Sequence, residues 1–426
     1  MKVLGLIVEY NPFHNGHKLH LEKAKKLVKP DYTIAVMSGN FVQRGEPAIL
    51  NKFIRTQMAL SQGIDLIIEL PFIYSIQDAS GFANGSIGIL SRLGIVTDLV
   101  FGSESADIDT LHILSDILVE EPKEFKKILR TLLKTGLSFP KARSIALKNY
   151  VSEHMKKSIN LEVIEKSNDI LGLEYLTYLK KYKSTINASL IKREGASYNE
   201  TSFTGNISSA TAVRKLLRTN DYDLVNQSIP KECFDILKEK LNNGETPVFY
   251  ETMNEIILSA LKLSSKNEIK NYYGVNEGLE KRIIEKSFEK FDISELISEV
   301  KSKRTTYSRL KRTMLNILFK IETKKIETYN LYGPQYFRVL GFNEKGQKVL
   351  KMIKENSKYP IISNISKYEN IYNRLKQNFL DSNKKYEAIP EILLEQLEYD
   401  LKAANIYDLI CKNKIFSEFK KNENFI

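Results

Sequence analysis

The sequence predicts an α/β protein: a doubly wound, mostly parallel sheet in the first half, then a mainly helical, basic second half. Short apolar runs recur through the first hundred residues with helical patterns between them. The runs are β-branched or leucine-rich and bounded by Gly, Asp, Asn or Pro, as strands buried on both faces are. Beyond about residue 225 that alternation stops and lysine-rich amphipathic stretches take over.

Taken in order, residues 3–8, 33–37, 66–70 and 99–101 read as strands, with helices over 16–28, 53–62 and 83–93. Strand, helix, strand at these distances means βαβ units and a parallel sheet, with ligands at the carboxyl ends of its strands. Residues 109–157 carry Leu and Ile at helical spacing and read as a helical excursion. Residues 185–191 suit one more strand, and 208–218 open another helix. After 225 no further βαβ rhythm is expected, apart from a short β element near 336–342. The expected division is 1–225 for the α/β domain and 226–426 for the helical, basic region.

Composition narrows the class. The chain has 426 residues, 64 Lys and Arg against 52 Asp and Glu, and only two cysteines, Cys233 and Cys411. Two distant cysteines make no zinc, redox or disulfide framework, which fits a reducing cytoplasm. The apolar start meets Glu9 too soon for a secretory core, and no stretch approaches the roughly 20 apolar residues of a membrane span. A basic surplus suits a polyanion partner but does not require one.

Three of the five histidines, His14, His17 and His20, fall within seven residues. The first strand ends at Glu9-Tyr10-Asn11-Pro12-Phe13-His14-Asn15-Gly16-His17, and a helix begins at once. Pro12 cannot continue the strand, since it has no backbone donor. Gly16 removes a side chain where the backbone must approach a ligand. The helix N-terminus offers free N–H groups and partial positive charge, an anion site. Two imidazoles three residues apart can converge on one phosphate and stabilise charge developing at phosphorus. A metal site or a pair of structural histidines is the competing account. His20, one turn further, packs or faces solvent by chemistry alone.

The string Gly5-Leu6-Ile7-Val8-Glu9-Tyr10-Asn11-Pro12-Phe13-His14-Asn15-Gly16-His17 resembles the signature of the HxGH nucleotidyltransferase superfamily. Together with residues 37–48, 68–72 and 101–104, it resembles the bacterial tRNA(Met) cytidine acetate ligase family over nearly the whole chain. The resemblance implies a Rossmann-like fold and a two-step reaction. Acetate attacks the α-phosphate of ATP, giving acetyl-adenylate and pyrophosphate, and N4 of the wobble cytidine of elongator tRNA(Met) then takes the acetyl group. His14 and His17 are the implied catalytic residues. Ile7, Val8, Glu9, Tyr10, Asn11, Pro12, Phe13, His14, Asn15, Gly16, His17 and His20 are implied ATP contacts, as are Gly102, Asn168, Arg193, Ser209, Thr211 and Arg214. Mg²⁺ is expected with ATP; no carboxylate cluster in the sequence is dedicated to a metal.

Each further segment also has a plainer reading. Ser38, Gly39 and Gln43 lie in a polar loop after the second strand, a place for acetate or cytidine contacts or simply a connection. Lys52 and Arg55, a turn apart, would face acetate or phosphate, or form a solvated helix face. Gly102 lets adenine or ribose lie against the backbone, or only turns the chain. Asn168 reads equally as a helix cap. Ser209, Thr211 and Arg214 resemble the superfamily's second phosphate signature, with Ala210 where a second hydroxyl is common; the segment also reads as an ordinary capped helix.

Residues 301–354 hold fourteen Lys or Arg against three acidic residues. Lys301, Lys303, Arg304, Arg309, Lys311 and Arg312, with Tyr307 among them, are the expected tRNA contacts, since cations meet phosphate and tyrosine stacks a splayed base. A solvated lysine-rich helix is the alternative. Two other functions stay open at this point. An adenylyltransferase for a small phosphorylated metabolite would leave the basic half unused. An RNA-binding protein with a regulatory nucleotide pocket would release no pyrophosphate.

Overall fold

The computed structural model describes residues 1–155, 159–193, 209–276, 278–302, 305–365, 370, 372–373, 376–377, 386–412 and 418. Its strands are β1 (Val3–Val8), β2 (Tyr32–Ser38), β3 (Phe41–Val42), β4 (Glu46–Pro47), β5 (Leu66–Leu70), β6 (Asp98–Ser103), β7 (Asn187–Lys192), β8 (Phe337–Phe342) and β9 (Ile361–Ile362). Seven of them form one sheet in the order β7-β6-β1-β2-β5-β8-β9, and β3 and β4 form a separate hairpin. From β7 to β5 every pairing is parallel; β8 runs antiparallel to β5, and β9 parallel to β8.

The central strands β1, β2 and β5 read as largely apolar because both faces are covered. Val3, Ile34, Val36, Leu66, Ile68 and Leu70 belong to one apolar cluster, whereas Leu4, Leu6, Ala35, Met37 and Ile67 belong to a second. Successive residues point to opposite faces, so a period of two is present but hidden. The second face is covered by α1 (Asn15–Val28) and α2 (Lys52–Ser61). Leu21, Ala24 and Val28 of α1 recur at three- and four-residue spacing and are buried there. The first face takes α3 (Phe72–Ser75) and α4 (Ala79–Arg92).

The predicted excursion is α5 (Ile108–Glu120), α6 (Lys123–Lys134) and α7 (Phe139–His154), followed by α8 (Ser167–Lys181), all between β6 and β7. After β7 come α9 (Ala210–Arg218), α10 (Tyr222–Ser228) and α11 (Lys231–Asn242). The second half adds α12 (Asn254–Leu263), α13 (Lys266–Ile269), α14 (Leu279–Glu289), α15 (Ile293–Val300), α16 (Tyr307–Leu318), α17 (Thr323–Tyr332), α18 (Glu344–Asn356) and a terminal helix Pro390–Ile410.

One expectation is corrected: a βαβ unit does occur after residue 225, because β8, α18 and β9 make a parallel crossover. It escapes a periodicity reading because β9 is two residues long and α18 is rich in lysine. The two large clusters also run past residue 226. Cys233, Leu237 and Leu340 pack with β1 and β2, and the Tyr407 hydroxyl of the terminal helix donates to Ala48 O at 2.8 Å. We therefore propose the division 1–225 and 226–426 as one of roles, nucleotide chemistry and RNA contact, on shared cores. The chain leaves β1 for β2 on one side, while β6 pairs on the other. The carboxyl ends of β1 and β6 thus flank a topological switch point, where open α/β sheets bind ligands.

Candidate active site

A cavity of about 280 Å³ opens at that switch point. Its walls come from the end of β1 and the start of α1, the end of β6, the start of α8, the end of β7 and the start of α9, with residues 42–46 at the rim.

His14 is the N-cap of α1 and forms a reciprocal capping box with His17. The His14 Nδ1 accepts the Gly16 N–H at 3.1 Å, and the His17 Nδ1 accepts the His14 N–H at 3.3 Å. An acceptor nitrogen carries no proton, so in both neutral rings the proton sits on Nε2, which remains as the donor available to a ligand. The rings stack with centroids 3.7 Å apart, and Tyr10 and Phe13 pack edge-on to His17 at 4.9 and 5.7 Å. Tyr10 takes a left-handed turn, φ 45°, at the end of β1.

Burial, with Arg193 and Arg214 nearby, lowers the His14 pKa to about 3, and burial holds His17 well below its ordinary value. Burial also takes His20 down to about 4. Both site imidazoles are therefore neutral N–H donors at neutral pH. A histidine kept neutral by the fold takes up a proton on unfolding, so acid favours the unfolded chain. These groups cost nothing above about pH 6.5 and lower stability as the pH falls from there, each by up to about 1.4 kcal/mol per pH unit. The urea midpoint is expected to fall between pH 7 and 5, and to fall less steeply in His20→Phe. Identical slopes in the two proteins would contradict the assignment.

The far wall differs from expectation in one respect. Asn168 is not the cap of α8; Lys166 is, and it makes no side-chain cap bond. The first-turn N–H groups of Asn168 and Asp169 go instead to the Glu104 carboxylate at 3.1 and 3.2 Å, which also takes the Asn168 Nδ2. That bond turns the Asn168 Oδ1 toward Arg193, whose Nη1 donates at 3.4 Å. Asp169 is buried and accepts from the Ser103 hydroxyl and from the backbone N–H groups of Glu104 and Ser105, fixing the turn after β6. Gly102 stands in the wall, with Arg193 packed against the place where a Cβ would be. Ser209 caps α9 by accepting the Ala212 N–H at 3.1 Å. Arg214 donates to Asn11 O at 3.0 Å and to the Thr211 hydroxyl at 3.2 Å, tying α9 to the histidine turn.

Of the sequence-predicted ATP contacts, Ile7, Val8, Glu9, Tyr10, Asn11, His14, Gly16, His17, His20, Gly102, Asn168, Arg193, Ser209, Thr211 and Arg214 line the cavity. Pro12, Phe13 and Asn15 do not: Phe13 is buried against Tyr10, and the Asn15 Nδ2 donates to Gln227 O at 2.8 Å.

Of the predicted acetate and cytidine contacts, only Gln43 lines the cavity. Ser38, Gly39, Lys52 and Arg55 are buried and do not line it. Lys52 is buried in an ion cluster with Glu69, at 2.8 Å, and Glu418, which also binds Arg338 at 2.9 Å. Arg55 is buried, and its guanidinium donates to backbone oxygens of Glu9, Ser38, Gly39 and Leu50. Their charges are occupied inside the fold, so we assign these two a role in holding the 38–50 segment.

The basic helix α16 packs on the cavity's rim. Lys311 pairs with Glu46, and Arg312 donates to Gln43 O at 3.1 Å. Gly45 makes this contact possible, with φ +77° and a Cβ position only 2.5 Å from the Arg312 backbone nitrogen. Gly45→Ala is expected to destabilise the protein by about 1–3 kcal/mol in urea unfolding, since both the left-handed backbone and the helix contact oppose a side chain. Tyr307 is half exposed, with the Lys301 ammonium 5.1 Å from its ring centre, and Arg309 donates to Asn276 at 2.7 Å. Lys303 and Arg304 lie outside the described residues.

Sequence reasoning missed the structural parts of Glu104 and Asp169, and it placed Arg44 and Glu46 in the substrate loop without giving either a contact of its own. An available signal was the carboxylate following a strand end, Ser103-Glu104, able to serve a helix start elsewhere.

Comparison with known proteins agrees with this geometry. The profile of the HIGH nucleotidyl transferase family matches residues 1–422. The tRNA(Met) cytidine acetate ligase of Fervidobacterium nodosum is 45% identical over 414 residues, 97% of this chain and 96% of the relative. That of Kosmotoga olearia is 47% identical over 411 residues, covering 96% and 95%. The crystal structure of Thermotoga maritima TmcAL bound with alpha-thio ATP superposes with a TM-score of 0.92 at 42% identity, and the apo form at 0.94 and 43%, each covering all of both chains.

Proposed function

This chain belongs to the HIGH nucleotidyl transferase family, in the branch of the tRNA(Met) cytidine acetate ligases, and from that premise we propose that it uses ATP to join acetate to a cytidine of tRNA(Met). The observation that carries the chemistry is the pair of stacked, neutral imidazoles at the N-terminus of α1, each left with an Nε2–H donor in the cavity between β1 and β6. A neutral donor gains most when charge accumulates on the oxygen it meets, which is what happens at the α-phosphate as acetate attacks.

ATP would lie with its base and ribose against Gly102, Asn168 and Arg193. Its α-phosphate would meet His14 and His17, and its outer phosphates would reach the N-terminus of α9 with Ser209, Thr211 and Arg214. Acetate attack gives acetyl-adenylate and pyrophosphate. N4 of the wobble cytidine of elongator tRNA(Met) then attacks the acetyl carbonyl and AMP leaves. Gln43 belongs to the rim through which the cytidine would enter, and α16, joined to that rim, would meet tRNA with Tyr307 and Arg309.

Mg²⁺ is expected to arrive with the triphosphate. Among the described residues no group of three or more His, Cys, Asp or Glu stands together to hold a metal ion. Nor is any helix among them long and apolar enough to cross a membrane. The reading puts the protein in the cytoplasm, where ATP and tRNA meet. The test is to incubate it with ATP, acetate and bulk tRNA and to weigh the nucleosides after digestion. An acetyl group gained by cytidine, only when all three are present, is expected; unmodified cytidine alongside consumed ATP would overturn the proposal.

A further inference from the structure

Within the proposed ligase reaction, on which this inference rests, the second step has a requirement the first lacks. Acetate and the α-phosphate bring no proton that must be removed. The cytidine amine does: it cannot become an amide nitrogen without losing one, and a positioned base makes that loss fast.

The two catalytic histidines cannot serve. Their Nδ1 atoms are taken by backbone N–H groups and their Nε2 atoms carry protons, so both are donors. Among the described residues two carboxylates line the cavity, Glu9 and Glu46. Glu46 is paired with Lys311. Glu9 stands at the carboxyl end of β1, five residues before His14, on the wall that carries the histidine turn. One of its oxygens, Oε1, accepts the Gln43 N–H at 2.8 Å, which fixes the carboxyl group against the rim. Its Oε2 takes no hydrogen bond among the described residues. Gln43 lies on the same rim, so the carboxylate and the entrance used by a cytidine are joined by one bond.

We propose that Glu9 is the general base of acetyl transfer, its free carboxyl oxygen taking the N4 proton as the amine attacks acetyl-adenylate. The N4–acetyl bond forms, the bond between the acetyl carbon and the AMP oxygen breaks, AMP leaves as the phosphate anion, and the N4 proton resides on Glu9.

The charged groups that face the carboxylate are Arg44 from the rim, Arg214 from α9 and Arg55 from α2. They lower its pKa, as does the Gln43 N–H, but burial outweighs them and the carboxyl ends above its ordinary value, a better base than a solvated glutamate. Among the described residues His20 is the other group able to accept: its buried Nε2 makes no hydrogen bond there, but its pKa of about 4 makes it a weak base. Three arginines around one carboxylate also disfavour a divalent cation there.

The test is single-turnover transfer from chemically prepared acetyl-adenylate to bulk tRNA, set beside acetate-dependent pyrophosphate release. Glu9→Gln keeps an oxygen for the Gln43 N–H but cannot take a proton. Its transfer rate is expected to fall by about 10²–10⁴-fold, far more than its pyrophosphate release. The wild-type transfer rate should rise with pH through the Glu9 titration, Glu9→Gln should lack that rise, and Glu9→Asp should keep it at a reduced rate. Transfer by Glu9→Gln within threefold of wild type would overturn the inference. So would equal losses in both steps, which mean a positioning role, or loss of the pH dependence in His20→Phe instead. A wild-type protein that moves no acetyl group from acetyl-adenylate to cytidine would defeat the ligase reading itself, a distinguishable result.

Discussion

Replacing His17 by alanine is expected to lower acetate-dependent pyrophosphate release about 10²–10³-fold, the usual cost of one donor to a charge that develops in the transition state. The ring meets its surroundings through Nδ1, which accepts the His14 N–H, and through its faces, stacked on His14 and edged by Tyr10 and Phe13. The remaining Nε2–H makes no hydrogen bond among the described residues, which is why its loss should appear in kcat more than in the KM for ATP. The capping bond it also makes is worth only about 1 kcal/mol, so the variant should fold. His14→Ala should behave alike, and the double variant should lose less than the product of the two, because the stacked rings act as a unit. A drop below threefold in His17→Ala would remove it from the chemistry.

Arg55→Met is expected to have the largest effect on stability, a loss of about 3–5 kcal/mol in chemical denaturation. The guanidinium is wholly buried and donates to Leu50 O at 3.0 Å, Glu9 O at 2.6 Å, Ser38 O at 3.1 Å and to Gly39 O. It joins the ends of β1 and β2 to the start of α2. Burial lowers its pKa to about 10, so it stays charged at neutral pH. Methionine fills much of the volume but leaves those carbonyls without donors. Arg193→Met provides the contrast. That exposed side chain has one long bond to Asn168, at 3.4 Å, and its loss should cost under about 1 kcal/mol of stability while raising the KM for ATP. Equal destabilisation by the two substitutions would contradict these assignments.

The comparison of these two arginines shows where the sequence was legible. Strands at 3–8 and 66–70 could be read to the residue, because a strand covered on both faces carries a short, mostly apolar run, broken at 66–70 only by Glu69, with sharp ends at Lys2, Glu9, Asp65 and Pro71. The histidine turn was legible for a similar local reason: strand end, proline, glycine and helix start are all neighbours in the chain. Lys52 and Arg55 were not legible, since whether a cation faces substrate or the interior depends on distant residues. Glu69 and Glu418 bury Lys52, and backbone oxygens from three segments bury Arg55. The basic stretch 301–354 reads as one patch, yet the fold divides it. Arg338 is buried against Glu418, Lys311 and Arg312 hold the rim, and Tyr307 stays exposed. Net charge counts cations without saying which of them reach water. Asn168 sits at a helix start, as the sequence suggested. The group that takes its first-turn N–H bonds, though, is the Glu104 carboxylate from another loop, a partner that the residues around Asn168 do not name.

The central claim is that a carboxylate attacks the α-phosphate held by His14 and His17. It is tested most directly by running the complete reaction with acetate labelled with ¹⁸O in both oxygens and locating the label by mass spectrometry. Attack at the α-phosphate places one acetate oxygen on the AMP that leaves and none on pyrophosphate. Unlabelled AMP, or label in inorganic phosphate with ADP as the other product, would mean that acetate attacks elsewhere or not at all, and would contradict the assignment of this cavity.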